Sequence, residues 1–147
     1  MSSATSPEIL VSSLSQEIID LVAASVTARE KAYAPYSKFK VGTALLDEQN
    51  RVHLGCNVEN ASYSAVICAE RTAISKMISE GGSKITKIVI ITSGDEPCFP
   101  CGVCLQVIGE FGRDCEVYAV SGDAKRVRVS SHRELLPAAF LGAQLKS

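Results

Sequence analysis

Cys68-Ala69-Glu70 near one end and Pro100-Cys101-Gly102-Val103-Cys104 at the other bound the stretch that decides this chain's fold. Between them the pattern predicts a helix over 65–80, stopped by Gly81-Gly82. Ile85-Thr86-Lys87-Ile88-Val89-Ile90-Ile91-Thr92 follows, a nearly unbroken β-branched run suited to a central strand. Residues 93–100 form a loop with two prolines, and a second helix is predicted over 102–111, closed by Gly112. Both cysteine segments therefore fall at the start of a helix, where free N–H groups and partial positive charge lower thiol pKa values and favour thiolates.

Thiolates bind Zn²⁺ tightly. Cys68 supplies one from the first segment. Cys101 and Cys104, spaced i and i+3 on one helix face, supply two more. Three protein ligands leave a fourth position for water, which is the arrangement of a catalytic site rather than a closed structural one. Glu70, two residues from the first ligand, is placed as a proton shuttle for that water. A carboxylate in a first helical turn also stabilises the helix by itself. Three thiolates on one Zn²⁺ leave a net charge of −1, and Arg71 is the neighbouring cation that offsets it. Cys98, three residues before Cys101, keeps two other readings open: a closed four-cysteine structural site, or a redox-active C-x-x-C pair.

Working outward, apolar residues at Leu14, Ile18, Leu21, Val22, Val26 and Ala32 predict an amphipathic helix over 14–33, ended by Pro35. Strands are expected over 38–46 and 51–58, joined by the polar turn Asp47-Glu48-Gln49-Asn50 into a hairpin. Further strands are expected over 115–120 and 125–129. Ser131 and Glu134 form a capping box for a short helix over 131–136, and 138–145 reads as a small C-terminal turn or helix. Strands alternating with helices make one α/β domain over 15–147. The Ser-rich residues 1–14 read as a disordered N-terminal tail. Asn57 and Glu59, two apart on a strand, share one face.

The 147 residues suffice for one domain with a real core. A formal net charge of −1 gives no general basic surface for nucleic acid, and no apolar run is long enough for a bilayer. The N-terminus has no basic start followed by an apolar core, so it does not read as a secretory signal. Six cysteines without a signal point to metal binding and buried thiols, and to a cytoplasmic location.

The motifs together carry a resemblance. Pro35-Tyr36-Ser37, Val41-Gly42, Gly55-Cys56-Asn57-Val58-Glu59-Asn60-Ala61, Cys68-Ala69-Glu70-Arg71-Thr72-Ala73 and Pro100-Cys101-Gly102-Val103-Cys104 resemble, in order and spacing, the short homo-oligomeric cytidine deaminases that act on free nucleosides. The likeness spans about Ala32 to Phe140. It implies a three-layer α/β/α sandwich around a mixed five-stranded sheet, and one Zn²⁺ per subunit on Cys68, Cys101 and Cys104. The implied reaction is the hydrolytic conversion of cytidine and deoxycytidine to uridine and deoxyuridine in pyrimidine salvage. Zinc-activated water attacks C4 while Glu70 moves the protons, and Arg71 donates to the ligand sulfurs. By the same resemblance Asn57 and Glu59 bind the ribose 3′-hydroxyl, Phe39 packs on the base, and Ala69 belongs to the substrate-binding set. Tyr63 and Phe140 are expected to reach a neighbouring subunit's site in a homotetramer with shared pockets.

The chain departs from that pattern at three places. Leu105 follows Cys104 where an Arg is usual, Ser62 follows Ala61 where a Cys is usual, and Cys98 is an additional thiol. A relative with another small substrate or a polynucleotide substrate is the competing enzyme reading. Asn57-x-Glu59, Cys rather than His at 68 and the lack of a basic stretch argue against it.

Overall fold

A computed structural model describes residues 6–146. Six strands form one sheet: β1 (Ile9–Leu10), β2 (Val41–Asp47), β3 (Val52–Cys56), β4 (Ile85–Thr92), β5 (Glu116–Val120) and β6 (Arg126–Ser131). Their spatial order is β1-β6-β5-β4-β2-β3. The sheet is mixed: β4 and β5 run parallel, and the other pairs are antiparallel. The parallel pair is the one joined through a helix, as a crossover requires.

The run 85–92 forms the central strand over the predicted residues, and its alternation distributes the core. Val89 and Ile91 join Ala44, Leu46 and Val120 on one face, under Ile18, Leu21 and Val22 of α1 (Gln16–Glu30). Ile88 and Ile90 join Leu45 and Val117 on the other face. That face is covered by Ala73, Ile74 and Met77 of α2 (Ala69–Ser79) and Ile108 of α3 (Gly102–Gly112). The result is the expected three-layer sandwich. Two glycines set the layer spacing. A Cβ at Gly42 would stand 2.1 Å from the Ser25 carbonyl oxygen of α1, and one at Gly55 would stand 2.4 Å from the Ala69 carbonyl oxygen of α2. Each helix lies so close to the sheet that only a missing side chain admits it.

Three expectations are corrected. The sheet has six strands, not five, because Ile9 and Leu10 pair with Val127 and Arg126 at the edge of β6. Residues 6–14 are consequently not a loose tail: Val11 is buried and its N–H donates to the Lys125 carbonyl at 2.9 Å. The part of the expected tail over 1–5 lies outside the described residues. The first helix stops at Glu30, short of Pro35, because Tyr33 is drawn into a bridge with Val58. There the Tyr33 N–H donates to the Asn57 carbonyl and the Glu59 N–H to the Tyr33 carbonyl, at 3.0 and 2.8 Å. The capping box at α4 (His132–Leu135) is present with both halves made.

Candidate active site

The two cysteine segments meet. Cys68 is the N-cap of α2 and Cys101 the N-cap of α3, both extended in backbone conformation, and Cys104 lies one turn into α3. The three sulfurs lie within 4.8 Å of one another. Tetrahedral zinc with Zn–S bonds of about 2.3 Å separates its sulfurs by about 3.8 Å, so this donor set fits the ion with small adjustment. Two helix N-termini point their partial positive charge at the cluster. Cys98 does not join it: that thiol is exposed and lies 3.4 Å from the Glu96 carbonyl. Three thiols rather than four are thus brought together, which disfavours the closed four-cysteine reading.

The cluster's electrostatics follow from its contacts. Cys68 has its pKa lowered to about 5, first by a hydrogen bond from the Cys104 thiol and then by Arg71. Cys104 moves the opposite way, raised by that same bond and by burial. Arg71 Nη2 reaches Cys68 Sγ at 3.7 Å and the Val66 carbonyl at 3.0 Å. Leu105, where the resembled family usually carries an Arg, is buried. Glu70 is 5 % exposed, and its carboxyl pKa is raised by burial and by the charge on Cys68. A carboxyl so placed holds a proton more readily than a surface glutamate and can both accept and return one.

A pocket of about 350 Å³ opens onto the cluster, within the range of small-molecule sites. Cys68, Ala69, Glu70, Cys101, Phe39, Asn57 and Glu59 all line it. Asn57 and Glu59 arrive there because residues 57–59 are clamped on both sides. Val58 bridges Tyr33 and also Ile67, with the Val58 N–H to the Ile67 carbonyl at 2.9 Å. Ile67 immediately precedes Cys68, so the same bridge fixes the first ligand.

Glu59 accepts from the Ser37 hydroxyl and from the N–H groups of Tyr36 and Ser37 at 2.9 and 3.3 Å. The Ser37 bond contributes most to holding its carboxyl below the usual range. Asn57 uses its amide differently from the simple expectation. Its Oδ1 accepts from the Val41 N–H and its Nδ2 donates to the Phe39 carbonyl, both at 2.8 Å. It thereby holds Phe39 in the pocket wall while keeping one N–H and one lone pair free.

Tyr63 and Phe140 are not brought into this pocket. Tyr63 is 78 % exposed, stacks edge-on with Tyr36, and lines a neighbouring depression that shares Ser37, Glu59 and Val66 with it. Phe140 is 54 % exposed in the C-terminal segment, where its carbonyl accepts from Gln106 Nε2 at 2.7 Å. Sequence reasoning missed Val41, Val66, Ile90, Thr92 and Phe99, which also line the pocket. Strand alternation signals Ile90. Phe99 had only its closeness to Cys101 as a signal.

Residues 15–120 match the family described as the cytidine and deoxycytidylate deaminase zinc-binding region. The cytidine deaminase of Sporosarcina psychrophila is 43% identical over 127 residues, which cover 84% of this chain and 91% of that protein. That of Halalkalibacterium halodurans is 45% identical over 123 residues, covering 82% and 91%. A solved structure, the cytidine deaminase from Burkholderia pseudomallei, superposes with a TM-score of 0.80 at 43% identity, covering 86% of this chain and 100% of that one. This chain belongs to the cytidine and deoxycytidylate deaminase family, and within it to the cytidine deaminase enzymes. Among the described residues, no helix is long and apolar enough to cross a membrane.

Proposed function

We propose that this enzyme hydrolyses the exocyclic amine from cytidine and deoxycytidine, giving uridine or deoxyuridine and ammonia, with Zn²⁺ on Cys68, Cys101 and Cys104. The observation that carries this reading is a three-thiol cluster, two members of which, Cys68 and Cys101, line one pocket together with the buried Glu70, whose carboxyl pKa is raised, and Glu59, whose carboxyl pKa is lowered. Bound zinc supplies a polarised water able to attack C4. Glu70 takes the proton that the attacking water loses and delivers it to ring N3. It then takes the remaining hydroxyl proton and passes it to the amino nitrogen as the C4–N bond breaks. Arg71 offsets thiolate charge, so the net −1 of the three sulfurs with Zn²⁺ does not suppress ionisation of the water.

Glu59, kept ionised by its three donors, accepts from a ribose hydroxyl, and the free capacity of Asn57 serves the same group. Phe39 and Ala69 wall the base. Tyr63 and Phe140 act on neighbouring pockets in a homotetramer, which accounts for two large aromatic side chains left in solvent by a single chain. The role is pyrimidine salvage in the cytoplasm.

Zinc content measured together with loss of cytidine absorbance tests the reading. The expected result is about one zinc per chain with turnover, and Glu70→Gln retaining zinc while losing at least ~10²-fold in kcat, the scale of general acid–base catalysis. Substantial turnover by a zinc-replete Glu70→Gln protein overturns the mechanism.

A further inference from the structure

The loop over 93–100 joins the central strand to the second ligand helix, so it carries the pocket's Phe99 wall directly into Cys101. Few bonds within the loop hold it there. Its first two residues are tied to Lys40 and Gly122, with the Ser93 N–H donating to the Lys40 carbonyl at 2.8 Å and the Gly122 N–H to the Gly94 carbonyl at 2.9 Å, and beyond Gly94 its partners are Arg126 and Arg128 of β6. Arg126 and Arg128 alternate with Val127 on β6. Val127 packs into the core under α1, so the two arginines project from the opposite face, toward the loop.

Arg128 sets its guanidinium 5.1 Å from the Phe99 ring centroid, and its Nε donates to the Ser6 carbonyl at 3.1 Å. Arg126 donates through Nη2 to the Asp95 carbonyl at 2.7 Å. Its Nη1 pairs with the Glu8 carboxylate at 2.8 Å and lies 3.7 Å from that of Glu96. Both arginines thus have partners in the loop as well as one in residues 6–8. The β1–β6 pairing, with Ile9 opposite Val127 and Leu10 opposite Arg126, fixes the segment that supplies those second partners.

We propose that residues 6–10 brace the substrate pocket: through Arg126 and Arg128 they hold the 93–100 loop, and Arg128 is a positioning residue acting on substrate through Phe99. The physical case is one of divided entropy. A long arginine side chain loses much rotamer freedom when it holds a single loop contact. Ser6 and Glu8 order the two guanidiniums beforehand, so the loop meets donors and a cation already in place. Removing an N-terminal partner should therefore loosen a wall that it never touches. The bond lies outside the metal cluster, and zinc retention is expected to survive its loss.

The proposal rests on the deaminase reading for its kinetic half and is independent of it for the other half. Arg128→Ala should raise KM for cytidine roughly two- to tenfold, the scale of one cation–π contact, with zinc content kept and kcat changed far less. Arg128→Lys, which keeps a cation near the ring, should recover part of the loss. Phe99→Leu should remove the effect: added to Phe99→Leu, Arg128→Ala costs less than it does alone, as expected for residues acting through one another. Hydrogen exchange of the amides over 94–99 reads the loop directly. It should quicken in Arg128→Ala and also in Glu8→Gln, whose side chain lies in the N-terminal segment. Unchanged exchange over 94–99 in both variants overturns the brace, as does a KM effect of Arg128→Ala that stays fully additive with Phe99→Leu. If the wild-type protein fails to turn over cytidine while exchange still quickens, the deaminase reading fails and the brace stands. If Arg128→Ala does not fold, Arg128→Lys and Glu8→Gln carry the same two measurements.

Discussion

Asn57 occupies both ends of its amide with the backbone of Phe39 and Val41 while facing the pocket. Two jobs follow for one side chain, and they predict a mixed phenotype. Asn57→Ala leaves the Val41 N–H and the Phe39 carbonyl without their partner at a site only 8 % exposed. An unsatisfied buried group costs about 1–3 kcal/mol, so both urea stability and kcat/KM should fall. A variant that loses substrate affinity with unaltered stability would show that the backbone bonds contribute nothing net.

The sequence made the candidate thiol cluster and its neighbouring carboxylate legible at this scale because their chemistry is local: Cys68, Glu70, Cys101 and Cys104 are set by short spacings inside two helix starts. Ser37 as the main partner of Glu59, and Phe99 as a wall under Arg128, depend on contacts between distant segments. No periodicity within either segment encodes them.

Secondary elements were legible where the apolar period was strong, as in β4, and less so where tertiary pairing overrode it. The bridge between Tyr33 and Val58 cut α1 short, and a polar, Ser-rich start concealed β1, whose two residues gain their place only from β6. The β2–β3 hairpin shows what pattern reading leaves out altogether. Its turn carries Asp47, wholly buried, whose Oδ2 meets Arg51 Nε and His53 Nε2, both at 2.8 Å. The His53 Nδ1 then lies 3.1 Å from Glu80 at the end of α2, so the hairpin and that helix share one polar cluster.

Burial alone would raise the Asp47 pKa. The bonds from His53, from the N–H groups of Arg51 and Gln49 and from the Arg51 side chain outweigh it and hold the carboxyl well below its ordinary value. A depressed folded-state pKa contributes stability that is present above the unfolded value of about 4 and lost as pH falls below it. Urea unfolding at fixed pH values should therefore show stability falling on the acid side more steeply in the wild type than in Asp47→Asn. Asp47→Asn should also be the weaker protein at pH 7. Parallel slopes for the two proteins below pH 4 would remove Asp47 from the acid response.

At the scale of the whole molecule, the pocket is open on the side where one chain offers nothing more. Tyr63 stands in the adjoining depression and Phe140 stands in solvent at the other end of the chain, held through its carbonyl by Gln106 of the ligand helix. Water must be kept from the reacting centre for its electrostatics to count, and a single chain leaves that exclusion incomplete. In the homotetramer proposed above a neighbour's aromatic would close the pocket, so activity should depend on assembly. Phe140→Ala should raise KM in the pocket of an adjacent chain while leaving its own zinc and Glu70 intact. Glu70→Gln chains carry the converse defect: an inactive pocket with a sound Phe140. Co-refolding the two creates pockets in which a Phe140→Ala chain supplies Glu70 and a Glu70→Gln neighbour supplies Phe140. Assay at limiting cytidine should then exceed the sum of the two variants refolded separately. Strict additivity in mixtures that sedimentation shows to be co-assembled would place Phe140 outside the reaction, and a fully active monomer would leave the pocket to one chain.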